Sequence, residues 1–263
     1  MNPAELGAEL AAAERDGCQI GILSQSYPDL DMDGAYAIQD AVVAAKEAYG
    51  ARRTGWKIGL TSRAMQEALG ITTPDSGVLF DDMHFESGAL VPRGRFIAPR
   101  IEAEIAFVLG ADITGPVDRA GVLASTAYVA PSLEILDTRI LRQDPATGAT
   151  RKVFDTIADN AANAGIVLGP ARHDPGTFDL SRVGAALSRD GVVEETGLGA
   201  GVLGDPVLGL VWLAERLSAY GQVMRAGEVI LSGSFIRPVE APPGSRFDAD
   251  FGDFGRIAVD FAA

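Results

Sequence analysis

The chain has 263 residues, enough for one large domain or two small ones, and its 47% hydrophobic and 22% charged content can build a sizeable core. A net charge of −14 with no basic stripe repels phosphate backbones and argues against a nucleic-acid partner. Cys18 is alone and cannot form an internal disulfide, no apolar run approaches the ~18 residues that span a bilayer, and the start MNPAELGAELAAAERDG lacks the basic-then-apolar order of a signal peptide; a cytoplasmic protein with no membrane partner is expected.

Residues 3–16 predict a helix, with Leu6, Leu10 and Ala13 along one face. SYPDLDMDG breaks the chain, and a second helix runs from Ala35 to Tyr49, ending before Gly50. Short runs bounded by Gly, Pro or Asp then predict strands: TGWKIGL, GALVP, RFIAPR, IEAEIAFVLG, VAPSLEILDT, AGIVLG, GAALSRDGVVEET, EVILSG and RIAVDF. Arg189-Asp190-Gly191 reads as a hairpin turn within them. Helices are expected at Arg63–Leu69, Asp118–Tyr128 and Pro206–Tyr220. Strands and helices do not alternate one for one, which excludes a doubly wound parallel sheet. The expected class is α+β: a helical N-terminal part carrying the first core strand (residues 1–62), joined to a mixed β-rich core (residues 63–263) that forms one functional unit.

The run IEAEIAFVLG alternates, placing Ile101, Ala103, Ile105 and Phe107 on one face and Glu102, Glu104, Ala106 and Val108 on the other. The two carboxylates would stand roughly 7 Å apart along the strand. Partly buried, they repel and lose hydration, a conflict resolved by a proton or by a divalent cation. The alternative is an exposed face with two solvated glutamates. SLEILDT supplies a third acid in an apolar strand, Glu134, whose alternative is an edge position paired to Arg139. Three glutamates from two strands would make an all-oxygen site that favours Mg²⁺ or Mn²⁺ over zinc; the only histidines are His84 and His173.

In GWKIGL, Lys57 shares a face with Gly55 and Gly59. Glycine inside a strand marks close approach to the backbone, and a lysine there could hold a ligand carboxylate or move a proton; the alternative is a snorkelling surface lysine. Asp75, between Pro74 and Ser76-Gly77, is explained by a turn.

Taken together, GWKIGLTSRAMQ, PDSGVLFDDM, PRIEAEIAFVLG, PSLEILDTRI, FDTIADNAANAGIVLG and EVILSGSF resemble the 2-oxopent-4-enoate and 2-oxohept-4-ene-1,7-dioate hydratases of bacterial meta-cleavage pathways for aromatic compounds. The order is unchanged from about Leu23 onward. The resemblance implies the fumarylacetoacetase-like fold, a β-roll or sandwich, and a homo-oligomer such as a pentamer or decamer. It places the metal ligands on Glu102, Glu104 and Glu134, the active-site lysine on Lys57, and an acid–base or water-activating role on Asp75. The implied substrate is a small 2-oxo acid: a 2-hydroxydienoate that is protonated at C5 and takes up water at C4, with Mg²⁺ or Mn²⁺ as Lewis acid and template.

The related 4-oxalocrotonate decarboxylases tend to carry a Pro-Glu pair where this chain reads Glu102-Ala103-Glu104, and KIGLTS is hydratase-like; decarboxylation is the second enzymatic reading. RKVFDTIADNAANAGIVLG and SGSFIRPV most resemble the enzyme of homoprotocatechuate degradation, whose seven-carbon diacid needs a second cation. Arg237 is the candidate, with Arg151 and Lys152 as alternatives, and Ser234 could donate to substrate or serve only its own turn. Gly199-Ala200-Gly201-Val202-Leu203-Gly204 fits the dinucleotide-binding fingerprint of an NAD-dependent oxidoreductase, but it follows a hairpin rather than a core strand of a βαβ unit. Asp155, Asp159 and Asn160 suit capping and turn roles.

Overall fold

The computed structural model describes residues 1–63, 66–67 and 71–263, so the helix expected over Arg63–Leu69 falls largely outside the described residues. Helix α1 (Pro3–Asp16) starts where the Asn2 side chain accepts from the Ala4 N–H and stops at Gly17 in the left-handed conformation. After the short α2 (Leu23–Ser26), Asp31 caps α3 (Met32–Ala48) by accepting from the Gly34 N–H. The two long helices meet at Gly7, where a Cβ would lie 2.5 Å from that of Ala41, so only glycine permits the contact. Leu6, Leu10, Ile38 and Val42 build a separate apolar cluster with Ile22, Ile140 and Ile157.

The strands are β1 (Arg53–Gly59), β2 (Asp75–Phe80), β3 (His84–Glu86), β4 (Ala89–Val91), β5 (Arg100–Leu109), β6 (Thr126–Leu136), β7 (Asn163–Leu168), β8 (Gly184–Arg189), β9 (Val192–Leu198), β10 (Val229–Leu231), β11 (Val239–Glu240), β12 (Arg246–Asp250) and β13 (Arg256–Phe261). Eight form one mixed sheet in the order β2-β1-β10-β5-β6-β7-β3, with β11 also on β5; five form a second sheet, β4-β13-β12-β8-β9. Helices α4 (Arg119–Ser125), α5 (Val153–Ala158) and α6 (Val207–Ala219) complete the α+β architecture. The main core joins the sheets: Ile105, Phe107 and Leu133 from the first sheet pack with Leu187, Phe247 and Val259 from the second. Burial of each such large apolar side chain contributes roughly 1.5–3 kcal/mol.

The alternation read in β5 holds. Ile101, Ala103, Ile105 and Phe107 enter the core between the sheets, while Ala106 and Val108, on the face of the two glutamates, join Leu79, Ile166 and Leu231. Asp190 and Gly191 both have positive φ, 52° and 81°, as the expected β8–β9 hairpin turn requires. Two expectations are corrected. Arg95–Pro99 is irregular rather than a strand, because the Ile97 and Ala98 N–H groups donate to the Asp137 carboxylate at 2.8 and 2.7 Å instead of to a neighbouring strand. The helix expected over Asp118–Tyr128 ends at Ser125, and Thr126 opens β6, whose pairing with β5 overrides local helix propensity.

Candidate active site

Strands β5 and β6 bring the three glutamates together. Glu102 lies directly opposite Glu134 in their antiparallel register, and Glu104, opposite Ser132, is two residues along on the same face. One carboxylate oxygen from each lies within 4.8 Å of the others. Glu104 and Glu134 are buried, and Glu102 opens onto a cavity. Glu104 Oε2 accepts from the Gly233 N–H at 2.8 Å. Its Oε1 and both oxygens of Glu134 are buried with no hydrogen-bond partner among the described residues. Lys57 Nζ lies 3.2 Å from Glu134 Oε1 as an ion pair, outside hydrogen-bond alignment. Glu134 is therefore paired to Lys57, not to Arg139, whose guanidinium is buried on Asp159 at 2.6 Å.

Burial, then the neighbouring Glu134 charge, pushes the Glu102 carboxyl up to about 8, well above its ordinary 4.5. Burial, Glu134 and Glu102 push Glu104 up as well, and burial raises Glu134 despite Lys57. Burial alone would lower Lys57, but Glu134, Asp75, Glu102 and Glu104 outweigh it and raise the ammonium above its usual range. Oxygens that share one ion at 2.0–2.6 Å stand at most about 4–5 Å apart, so this spacing fits a single divalent cation. The unpartnered buried oxygens and the hard, all-carboxylate donor set fit such an ion too.

Lys57 and Asp75 come from neighbouring strands. In the β1–β2 register Lys57 faces Gly77 and Gly59 faces Asp75. A Cβ on Gly59 would lie 2.2 Å from Asp75 Oδ1 and 3.2 Å from Lys57 Nζ, so this glycine makes the room that both groups occupy. Gly55 allows β1 to approach β10, since a Cβ there would lie 1.9 Å from the Val229 carbonyl oxygen. Asp75 is the first residue of β2 rather than a turn residue, and it is buried. Burial raises its carboxyl in spite of Lys57. The adjacent Ser76 is anchored on every side: its N–H donates to Tyr36 Oη at 3.2 Å, its carbonyl accepts from Gln39 Nε2 at 2.9 Å, and its hydroxyl accepts from Arg216 Nε at 3.3 Å.

Lys57, Asp75 and Glu102 line one side of a cavity of about 520 Å³. Ala161 and Ala162 line its wall, and with Asn160 they take three successive left-handed conformations, with φ of 50°, 52° and 58° from Asn160 to Ala162. Such backbone costs roughly 1–2 kcal/mol per residue. It is held by Asn160, which accepts from the Val78 N–H at 2.8 Å and donates to the Val78 carbonyl at 2.9 Å, and by Asn163, which donates to the same carbonyl.

Ser234 and Arg237 also reach the cavity wall. The Ser234 hydroxyl is engaged in its own turn, donating to the Ile236 carbonyl at 2.9 Å and accepting from the Ile236 N–H. Arg237 is exposed at the rim and paired with Glu195 at 2.5 Å. Arg151 lines the wall; Lys152 is the N-cap of α5, where its N–H donates to Asp155. The sequence reading missed Arg100, Arg142 and Asp137 on this wall: Arg100 opens β5 and Asp137 directly follows β6, where alternation gives no sign of a cavity, and Arg142 lies between β6 and α5, where the chain has no periodicity. Asp155 acts locally, accepting from Ser24. The glycine-rich stretch 199–204 follows the β8–β9 hairpin; a Cβ on Gly199 would lie 2.1 Å from the Leu180 carbonyl oxygen, which explains that glycine by packing.

No family model matches the chain. The chain is 46% identical to the 2-oxo-hept-4-ene-1,7-dioate hydratase of Escherichia coli over 257 residues, covering 97% of this chain and 96% of the relative. It is 40% identical to the 2-keto-4-pentenoate hydratase of Paraburkholderia xenovorans (strain LB400) over 258 residues, covering 98% and 94%. The solved 4-oxalocrotonate decarboxylase from Pseudomonas putida G7, complexed with magnesium and adipate, superposes with a TM-score of 0.92 at 30% identity, covering 98% of this chain and 97% of that one. With its α+β sheets, its triad of facing carboxylates and near full-length similarity to named relatives, the chain belongs to the 2-oxo-hept-4-ene-1,7-dioate and 2-keto-4-pentenoate hydratase family, of the fumarylacetoacetase-like fold.

Proposed function

We propose that this protein is a divalent-metal-dependent hydro-lyase that adds water to a 2-hydroxydienoate, with 2-oxohept-4-ene-1,7-dioate to 4-hydroxy-2-oxoheptanedioate as its reaction in aromatic catabolism by the homoprotocatechuate route. The observation that carries the reading is the set of three carboxylates within 4.8 Å of one another, two of them buried with unpartnered oxygens, beside a buried lysine that lines the cavity. Glu102, Glu104 and Glu134 would hold Mg²⁺ or Mn²⁺, which when bound polarises the substrate's 2-oxo group as a Lewis acid. Lys57, kept protonated by the surrounding carboxylates, offers its ammonium to the substrate's C1 carboxylate and is unsuited to act as a base. Asp75 is the proton carrier: burial lets its carboxyl hold a proton, and its place beside Lys57 lets it give that proton to C5 of the dienoate. With the 2-hydroxyl proton released, the resulting 2-oxo-3-enoate is electrophilic at C4; the Asp75 carboxylate regains its proton from the water that adds there, and C3 takes up a proton equivalent to the one the 2-hydroxyl released, completing net addition of H₂O. Ser234 would orient the chain of the substrate from the wall, and Arg237 would meet its far carboxylate at the rim as the dianion enters.

Arrest of the decay of dienoate absorbance by a chelator, and its resumption with Mg²⁺ or Mn²⁺, tests the proposal. Full turnover in chelator, or none with either the five-carbon or the seven-carbon dienoate, rules it out. A decarboxylase reading draws on the solved relative of that activity. Release of CO₂ from 4-oxalocrotonate in excess of dienoate hydration would favour it; 2-oxopent-4-enoate as the preferred substrate would favour the short-chain hydratase. A cytoplasmic homo-oligomer is part of the same proposal, and light scattering after size-exclusion chromatography tests the assembly. Among the described residues, no helix is long and apolar enough to cross a membrane.

A further inference from the structure

The cavity wall also carries a basic group. Arg100, Arg142 and Arg151 line it together with Asp137, on the wall that also carries Leu136 and Pro238. The carboxylates near these guanidiniums are already committed. Asp137 accepts from the Ile97 and Ala98 N–H groups at 2.8 and 2.7 Å. Glu240 is shared between Arg100 at 2.5 Å and Arg142 at 3.3 Å, and Asp159 is taken by the buried Arg139. Four guanidiniums thus face three carboxylates.

Two of the four have spare donors. Arg142 donates to Glu240 and to the Ala98 carbonyl at 2.7 Å, while its Nε is buried with no partner among the described residues. Arg151 is half-buried, and among the described residues its one acceptor is the neutral Thr138 Oγ1 at 2.6 Å. The cost of this arrangement is visible in both groups. Burial, then the Arg100 charge, holds Arg142 below its ordinary value. Burial lowers Arg151 too; Asp159 offsets part of this, and the Arg142, Arg100 and Arg139 charges add to the lowering. A crowded, partly dry cluster of cations with unused N–H groups is a site that one carboxylate would relieve on all counts.

Resting on the hydratase reading above, we infer that Arg142 and Arg151 form the seat for the far carboxylate of a dicarboxylate substrate, on the wall of the same cavity that Glu102 and Lys57 line. Arg237 differs from both, since its side chain is 83% exposed and its charge is met by Glu195. It stands where the dianion arrives, whereas Arg142 and Arg151 lie where water is scarce and a charge-assisted pair gains most. The site selects by chain length: a five-carbon monoacid has nothing to place there, and a seven-carbon diacid does.

The test compares the native enzyme, Arg142→Met and Arg151→Met, with Arg151→Lys as a milder variant should the Met variants fold poorly. The readout is the ratio of kcat/KM for 2-hydroxyhepta-2,4-diene-1,7-dioate to that for 2-hydroxypenta-2,4-dienoate. It should fall about 30-fold in each Met variant and by less in Arg151→Lys. A ratio within twofold of native in both Met variants overturns the inference, as does a loss found only in Arg237→Met. Calorimetric titration with pimelate, a saturated seven-carbon diacid, and with hexanoate separates this inference from the reaction itself. If the native protein hydrates neither dienoate, the hydratase reading fails, but weaker pimelate binding in the Met variants still supports the anion seat. Equal pimelate affinity in all variants overturns it.

Discussion

Replacing Glu104 by Gln should make the metal-free protein more stable while making it a poorer metal binder. Glutamine keeps an acceptor for the Gly233 N–H that Glu104 Oε2 now receives at 2.8 Å, so the change is close to a pure loss of charge. Two unit charges at the 4.8 Å limit that separates the triad oxygens repel by about 3.5 kcal/mol at an effective dielectric constant of about 20. Proton uptake already relieves part of this, since burial, Glu134 and Glu102 raise the Glu104 carboxyl well above its ordinary value. A net gain of about 1–3 kcal/mol at pH 8 remains, or roughly 3–9 °C in Tm for a chain of this size. Magnesium binding should weaken by about 100-fold or more, close to 3 kcal/mol, because one of three anionic ligands is gone. Thermal melts across a magnesium titration at pH 8 would then cross: the variant melts above native without metal and below it at saturating metal. A variant that melts lower without metal and keeps native magnesium affinity would refute the repulsion argument and the ligand assignment together.

Glu102 makes the metal-free fold pH-sensitive. Its folded-state pKa of about 8 lies above the ordinary 4.5, so its contribution is fully present below about pH 4.5 and is lost as pH rises through 8. Urea unfolding of the metal-free protein should therefore show falling stability from pH 5 to 8, with the opposite trend, a tightening of magnesium binding, over the same window; a pH-independent magnesium Kd would contradict it. Gly59→Ala should cost at least 100-fold in turnover and about 1–3 kcal/mol in stability, because the new methyl would sit 2.2 Å from Asp75 Oδ1. Near-native activity would show that Asp75 does not need its present position. The specificity constant for a dianionic substrate should fall with added salt although the chain carries a net charge of −14, since the guanidiniums that line the cavity act over short range while acids of the outer surface are screened beyond a Debye length of about 8 Å; a rise with salt would show that the global charge governs encounter.

The parts legible in the sequence were those that a period of two exposes. Glu102 and Glu104 stood out because β5 alternates, and Glu134 because an acid interrupts an apolar strand. What alternation cannot give is register. That Glu134 faces Glu102 and not Glu104 follows from the β5–β6 pairing, and that Lys57 pairs with Glu134 follows from the sheet order that sets β10 between β1 and β5. Strand β2 escaped notice because DSGVLF is buried at every position and so does not alternate, and its first residue, Asp75, carries ordinary turn neighbours. Arg142 and Arg151 belong to a stretch without regular structure, where only the folded chain reveals which charges are spent and which are spare.

The two charged groups of the cavity solve opposite electrostatic problems, and this divides chemistry from selectivity. In one, Glu102, Glu104, Glu134 and Asp75 outnumber Lys57, so the fold carries a negative excess that a divalent cation and a proton on Asp75 would cancel. A substrate carboxylate can approach that group only after both are in place, which orders metal before substrate. Elsewhere on the wall the guanidiniums outnumber their carboxylates, and on the reading above they would meet the far carboxylate and not the reacting carbons. A relative with a monoacid substrate could keep the acidic group unchanged and vary the basic one. Selection for chain length would then act on Arg142 and Arg151 without disturbing Lys57, Asp75 or the three glutamates, because the two groups share a cavity but no hydrogen bond among the described residues.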